Sequence, residues 1–311
     1  MIPSTRMNLQ AASLRDRADA PVDPALGAKR FGAAVVSNVP VESGSICVYH
    51  VPAVGRAARR PVVFVSGWGT TPDSFPSFYS AMAPDTEVFH VETREKGSSV
   101  LNRKTASFSM DQFAVDISAA VEYFTLQSRD PVLVGTCFGS AVIIHGLSQG
   151  LINVDSVICY DPMARLWVPR WVIRIIGSTF PPSVLMALRP TFRRIVLAGM
   201  KEPVQRARSA AIIDNAEMWK WRRAALALMD WNLFDVAESV SQRVHVVNGS
   251  HDRFHDSTLF PDVAAALPEG VFVRIPVDES HREQLMGIVT SEFAAHEDTS
   301  TPPAINAFVA K

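Results

Sequence analysis

The segment Gly135–Gly139, with the sequence Gly-Thr-Cys-Phe-Gly, constrains the fold of this chain more than any other stretch. It follows the apolar run Pro131–Val134 and precedes Ser140–His145, whose composition suits a helix. Glycines two positions either side of a residue permit a sharp turn between a buried strand and a helix, because a Cβ there would collide with neighbouring backbone. We therefore predict a nucleophile elbow, a strand-turn-helix unit with Cys137 at its tip.

Short β-branched runs alternate with longer helical patterns along most of the chain. This alternation is typical of parallel strands that are joined by helical crossovers, and we expect the first two strands to form an antiparallel hairpin at the sheet edge. The fold class is therefore α/β, with a mostly parallel eight-stranded sheet. We predict strands near residues 32–36, 45–51, 62–66, 88–91, 132–134, 157–159, 244–247 and 271–275, and helices at 111–127, directly after the turn and near 290–296.

The alternation of strand and helix patterns stops between residues 163 and 241, where about eighty residues of helical, Trp-rich and Arg-rich sequence intervene. Ligands of such sheets bind at the carboxyl ends of the strands, so an insertion emerging there would form a lid over the turn. The predicted organisation is a flexible N-terminal arm at 1–30, a core in two parts at 31–162 and 242–311, and a helical lid at 163–241.

Composition narrows the classes of partner. The formal net charge of -1 and the isoelectric point near 6.7 remove the electrostatic argument for a nucleic-acid partner. The three cysteines have no CxxC spacing, which argues against a disulfide scaffold or a zinc site and favours a reducing, cytoplasmic location. We expect no secretory signal at the N-terminus, and no transmembrane segment, because arginines and prolines interrupt the apolar run 166–188.

A nucleophile needs a base, and the base needs a group that orients it. The strand at 244–247 leads to Asp252, and the strand at 271–275 leads to His281, so both would lie in loops at the carboxyl ends of strands. We predict a triad of Cys137, Asp252 and His281. The alternatives that remain open are His251 and His255 for the base, and Asp161, Asp256 and Asp278 for the acid.

The glycine-framed turn, the strand-Gly-Ser-His-Asp segment and the late histidine together resemble the α/β-hydrolase superfamily, whose chain order is nucleophile, acid, histidine. The resemblance implies an oxyanion hole of two backbone N–H groups, here those of Phe138 and Trp68. Members of the family usually have a histidine before the oxyanion-loop glycine, where this chain has Ser66. Residues 93–99 resemble the Gly-Ser turn of the family after the fourth strand.

Cysteine at the centre of the motif favours acyl chemistry through a thioester. A thiol loses its proton far more readily than an alcohol, and a thioester remains activated toward alcohols, amines and thiols as well as water. We predict ester or thioester hydrolysis of a hydrophobic acyl substrate. The alternatives are an acyltransferase or chain-releasing cyclase, and a non-catalytic ligand-binding protein in which Cys137 is a small buried hydrophobe.

The predicted lid combines aromatic and basic residues. They would form a mouth for a hydrophobic acyl chain, or a docking surface for an acidic carrier protein or an anionic membrane, or the interior and solvated face of an amphipathic cap. The substrate would be a small molecule or a carrier-bound acyl group, and no cofactor or metal is expected. The residues concerned are Trp167, Trp171, Trp219, Trp221 and Trp231, with Arg165, Arg170, Arg174, Arg193, Arg194, Arg222 and Arg223.

Overall fold

A computed structural model describes residues 14–57, 59–166, 168–200, 203–249 and 258–310 of the chain. Its centre is a mixed sheet of nine strands in the order β1-β2-β4-β3-β6-β7-β8-β9, with β5 paired to β2. The strands are β1 (Val35–Val41), β2 (Gly44–Val51), β3 (Val62–Val65), β4 (Val88–Val91), β5 (Val100–Leu101), β6 (Val132–Thr136), β7 (Ser156–Tyr160), β8 (Val244–Asn248) and β9 (Gly270–Arg274).

The pairing of the strands confirms the predicted mostly parallel sheet and its antiparallel edge hairpin. β1 and β2 pair antiparallel from Val35 opposite His50 to Val41 opposite Gly44, whereas all neighbours from β4 to β9 pair in parallel. Strands β3, β4, β6, β7 and β8 are buried along their whole length. Helices cover both faces of a parallel sheet, which is why these strands are continuous apolar runs in the sequence.

Two strands differ from the prediction. The sheet has nine strands rather than eight, because β5 has only two residues and too short a pattern to detect. The first strand is Val35–Val41 rather than residues 32–36, since α2 extends to Gly32. Pro40 lies within this strand and is tolerated there because β1 is at the edge of the sheet.

Two hydrophobic clusters, one on each face of the sheet, form the core. Helices α4 and α5 pack in the first cluster, and α3 and α11 in the second. The helices are α1 (described over residues 14–19), α2 (Pro24–Gly32), α3 (Pro76–Ala81), α4 (Met110–Tyr123), α5 (Phe138–Ser148), α6 (Arg170–Thr179), α7 (Pro182–Leu197), α8 (Pro203–Asp214), α9 (Met218–Leu228), α10 (Leu259–Ala266), α11 (Arg282–Ala295) and α12 (Pro303–Asn306).

The predicted helices are present, but their bounds differ. The helix at 111–127 ends at Tyr123 and continues as a 3-10 turn over Leu126–Arg129. The last core helix begins at Arg282, eight residues before the prediction. Glu283 and Gln284 at its start are buried although polar, so their pattern in the sequence resembled an exposed loop.

Four helices, α6 to α9, connect β7 to β8, and we call them the helical insertion. They pack on one another, α6 and α7 on α9 and α7 on α8. Lys220 of α9 joins the insertion to the core, because its Nζ donates to the carbonyl oxygens of Lys96 (2.8 Å) and Ser99 (2.7 Å). No helix in the described part of the chain is long and apolar enough to span a membrane.

The described part of the predicted N-terminal arm is helical. Leu14 and Ala18 of α1 are buried in the cluster that α3 and α11 share, and the Gln284 side chain donates to the carbonyl oxygens of Arg17 and Ala20. Asp23 caps α2 by accepting from the backbone N–H of Ala25. Residues 1–13 lie outside the described part of the chain.

Candidate active site

Cys137 occupies the sharp turn between β6 and α5. Its backbone has φ 52° and ψ -113°, a conformation that a non-glycine residue adopts only under constraint from its surroundings. The constraint is visible in its hydrogen bonds: its N–H donates to the Tyr160 carbonyl oxygen (3.0 Å), and its own carbonyl oxygen accepts from Ala141 and Met163. The turn therefore holds the Cys137 side chain off both the strand and the helix.

The two glycines of the motif are required by space, as the sequence predicts. A Cβ on Gly139 would lie 2.1 Å from the Val65 carbonyl oxygen, and one on Gly135 would lie 2.6 Å from the Ser140 backbone nitrogen. Neither obstacle is a flexible side chain, so a larger residue at either position would displace β3 or the start of α5. The tight turn that strains the backbone at Cys137 therefore also requires glycine at positions 135 and 139.

Cys137 lines a cavity of about 1140 Å³ between the sheet and the helical insertion. The lining that the helical insertion contributes is largely apolar and includes Val172, Ile173, Ile212 and Met229. Of the three cysteines, only Cys137 is partly exposed. Cys47 and Cys159 are buried in the core, and burial raises the pKa of the Cys159 thiol to about 12.

The loop after β3 lies directly beside Cys137. A Cβ on Gly67 would be 3.2 Å from the Cys137 Cβ, and the next residue, Trp68, packs its ring edge-to-face on Phe138 at 5.2 Å between centroids. Among the described residues, neither the Trp68 nor the Phe138 N–H donates to another group. The oxyanion hole that the resemblance implies would use these two N–H groups, and that role stays a prediction.

A network of buried polar side chains supports the loop after β3. Ser66 Oγ accepts from Lys96 Nζ (2.6 Å) and pairs with His90 Nε2 (2.9 Å), while Glu95 Oε1 accepts from the Gly69 N–H (3.2 Å). Burial lowers the pKa of Lys96 and holds the pKa of His90 well below its usual value, with Lys96 contributing to the latter. These residues lie behind the loop and give its backbone a defined position relative to Cys137.

Asp161, one of the open alternatives for the acid, follows β7 with φ 45° and is buried. Its carboxylate accepts from Arg282 Nε (2.8 Å) and Nη2 (2.6 Å) and from Asn248 Nδ2 (2.7 Å). No histidine contacts it in the described part of the chain. A carboxylate with these three bonds is engaged in holding Arg282 and the end of β8.

His281 lies at the junction of a 3-10 turn (Glu279–His281) and α11. Its side chain is 32% exposed, and its Nδ1 is 3.9 Å from Asp19 Oδ1 of α1. The described residues show no hydrogen bond between His281 and Cys137, and those that line the cavity include Arg282 but not His281. The structure therefore brings Cys137, Trp68 and Phe138 together, and it leaves His281 outside this group.

Asp252, the predicted acid, lies outside the described residues, as do His251, His255 and Asp256. The strand that leads to this segment is in place, since β8 ends at Asn248 between β7 and β9. The triad as a whole therefore stays a prediction.

Arg282, Lys96 and His90 are site-neighbouring residues that sequence reasoning missed. Arg282 is 121 residues from its partner Asp161, and no pattern in the chain links the two. Lys96 and His90 looked like ordinary polar positions of a turn and a strand. The signal that could have identified Lys96 is its place in the 93–99 segment, which resembles the Gly-Ser turn of the family.

The sequence matches the model of the alpha/beta hydrolase family over residues 62–286. The match covers more than half of the chain, including the turn at Cys137, the helical insertion and the start of α11. The chain belongs to the alpha/beta hydrolase family, and this membership supports a hydrolase-type enzyme. No curated protein sequence matches the chain.

Solved structures share the fold at low sequence identity. A bromoperoxidase from Bacillus anthracis is similar with a TM-score of 0.64 and 15% identity, covering 84% of this chain and 99% of that one. The esterase EaEST from Exiguobacterium antarcticum has a TM-score of 0.63 and 16% identity over 82% of this chain and 98% of its own. A hydrolase from Pseudomonas aeruginosa PA01 has a TM-score of 0.62 and 16% identity, covering 79% and 91%. At such identities the similarity establishes the fold.

Proposed function

We propose that the protein is an acyl-transfer enzyme that hydrolyses an ester or thioester of a hydrophobic acyl group, with Cys137 as its nucleophile. The observation that carries the proposal is the constrained turn that presents Cys137 to a largely apolar cavity of about 1140 Å³. A cavity of this size and lining suits an acyl chain, with the reacting carbonyl at the cysteine.

In the proposed reaction, His281 takes the proton of the Cys137 thiol, and the sulfur attacks the substrate carbonyl carbon. The carbonyl oxygen becomes negative and accepts from the N–H groups of Phe138 and Trp68. The carbon-heteroatom bond of the ester or thioester then breaks, and His281 returns the proton to the departing alcohol or thiol. Water, deprotonated by His281, attacks the thioester and releases the carboxylic acid and the free thiol.

The existing hydrogen bonds of Asp161 bear on which acid orients His281. Its carboxylate already accepts three hydrogen bonds from Arg282 and Asn248, and none of its partners in the described part of the chain is a histidine. This favours Asp252, which follows β8 in the sequence, as the group that orients His281. We propose that the His281 side chain turns toward Cys137 when substrate binds, a rearrangement of one partly exposed side chain.

Intact-mass spectrometry after incubation with an octanoyl thioester tests the nucleophile. We expect a mass increase of one acyl group on the wild-type protein and none on Cys137→Ala. Cys47→Ala is the matched control, because it removes a buried thiol of the core and should leave the adduct unchanged. An adduct that persists in Cys137→Ala, or turnover that this variant retains, would disprove the assignment.

The base is tested separately by alkylating Cys137 with iodoacetamide as a function of pH. His281→Ala should shift the alkylation profile to higher pH and lower the rate of acylation by roughly 100-fold or more, whereas His296→Ala, on the C-cap of α11, should change neither. Asp252→Asn should lower the rate more than Asp161→Asn. Equal profiles for wild type and His281→Ala would assign the base to another residue.

Acyl transfer to a second substrate is the alternative that the sulfur itself favours, since a thioester stays activated toward other nucleophiles. The same adduct distinguishes the two reactions. A hydrolase loses it in water alone, and a transferase retains it until an alcohol, amine or thiol is added. Stoichiometric binding of the acyl chain without any adduct would instead indicate a non-catalytic ligand-binding protein.

A further inference from the structure

The outward face of helix α6 combines large apolar and basic side chains. Trp171 and Ile175 are 67% and 55% exposed, and they line one shallow surface depression together with Arg170 and Arg174. Residues four positions apart on a helix lie on the same side, so these four form a continuous stripe. We call this stripe the α6 face. A soluble helix normally presents polar residues on its outward side, and exposed clusters of this kind mark interaction sites.

The α6 face adjoins the opening of the cavity that contains Cys137. Arg170 lines both the surface depression and the cavity. Three apolar side chains line the cavity and are also well exposed, Ile176 of α6 and Leu188 and Phe192 of α7. The rim of the cavity is therefore apolar and continuous with the outer surface of the insertion, an unfavourable arrangement in water alone.

The region around the α6 face has an excess of positive charge, with Asp230 as the acidic residue of the surface depression. Residues 162–200 contain six arginines and no Asp, Glu or Lys. Arg170 is 3.5 Å from Asp230, whereas Arg174 has no acidic partner in the described part of the chain. The whole protein has a formal net charge of -1, so this local excess of positive charge is a property of the insertion.

We propose that the α6 face docks on an anionic lipid bilayer, with Trp171 and Ile175 in the acyl boundary and the arginines among the phosphate headgroups. Apolar side chains interleaved with arginines have the chemistry of an interfacial helix. An acidic carrier protein would satisfy the arginines but would leave the apolar stripe and the apolar rim without a lipid-like partner. In this orientation an acyl chain passes from the bilayer into the cavity without crossing water.

Co-sedimentation with vesicles tests the docking. The protein is the Cys137→Ala variant, so that binding is measured without turnover and does not depend on the acyl chemistry. We expect it to bind vesicles of phosphatidylcholine with roughly one third phosphatidylglycerol at least about tenfold more tightly than pure phosphatidylcholine, and to lose this preference as salt is raised. Failure to bind, or equal binding to both vesicles, overturns the proposal.

Substitutions identify the surface. Trp171→Gln with Ile175→Gln should weaken binding roughly tenfold, and Arg174→Gln should weaken it about fivefold. Val100→Gln on β5, where the valine is 67% exposed, and Arg274→Gln on β9 are the matched controls and should bind as the parent does. If the control variants lose as much affinity as the α6 variants, vesicle binding does not occur through the α6 face.

Two further results would assign the α6 face to another occupant and overturn the membrane proposal. In the first, the protein does not bind vesicles but forms a complex with a purified acidic acyl carrier protein in size-exclusion chromatography, and this complex depends on Trp171. In the second, the protein does not bind vesicles but forms a concentration-dependent dimer, and Trp171→Gln abolishes this dimer. If vesicle binding is observed and Cys137 forms no adduct, docking stands and the proposed chemistry fails.

Discussion

The turn at Cys137 and the helical insertion above it differ in how strongly packing restricts their residues. At the turn, a single added carbon on Gly139 would meet the backbone of β3 at 2.1 Å. In the insertion, Ile195 of α7 is 67% exposed and Trp171 of α6 equally so. The fold itself explains the residues of the turn, whereas it does not explain the apolar outer residues of the insertion. Those residues therefore point to a partner outside the chain.

The largest expected effect is at a buried ion pair of the core, between Arg94, which follows β4, and Asp116. Asp116 of α4 accepts from Arg94 Nε and Nη2, both at 2.6 Å, with almost no exposure of either side chain. Asp116→Ala should lower the free energy of unfolding by about 4 kcal/mol, because it leaves a guanidinium buried without its carboxylate. Urea denaturation measures the change.

The matched control for Asp116 lies on the same helix. The Asp111 side chain is 66% exposed and pairs with the largely buried His145, so Asp111→Ala should cost about 1 kcal/mol, less than Asp116→Ala. If the two variants lose similar amounts of unfolding free energy, burial does not account for the contribution of the Asp116 ion pair.

The pH dependence of stability provides a second test of the core. Burial lowers the pKa of His245, on β8, from 6.5 to about 4. The unfolded chain therefore binds a proton between these two pH values that the folded chain excludes. Stability should be complete above pH 6.5 and decline by about 3 kcal/mol as the pH falls to 4.

Replacement of His245 isolates its share of this decline. His245→Gln should flatten the dependence of unfolding free energy on pH between 6.5 and 4. An unchanged slope in His245→Gln would show that other groups produce the acid sensitivity.

The smallest expected effect is on the outer face of the insertion. Ile195→Gln should change the free energy of unfolding by no more than about 0.5 kcal/mol, because the side chain has few neighbours to lose. Leu197, two residues along the same helix, is buried, and Leu197→Gln should cost about 2 kcal/mol or more. A large loss for Ile195→Gln would mean that the outer face is part of the fold.

Elements with long local patterns were predictable from the sequence. The parallel strands and the helix at Met110–Tyr123 follow from apolar periodicity, and the edge hairpin from two adjacent strand-like runs. β5 was not predictable, because two residues carry no periodicity. The start of α11 was also missed, since Glu283 and Gln284 are polar residues that only tertiary contacts bury.

The candidate site divides in the same way. The sequence by itself determined the turn at Cys137, because glycine spacing next to an apolar run reports a steric requirement between residues that are close in the chain. Only the tertiary structure decided that Arg282 binds Asp161, that Lys96 and His90 support Ser66, and that His281 lies toward Asp19. These partners are distant in sequence, and hydrogen bonds and ion pairs form between whichever groups the packing of the sheet and helices brings within reach.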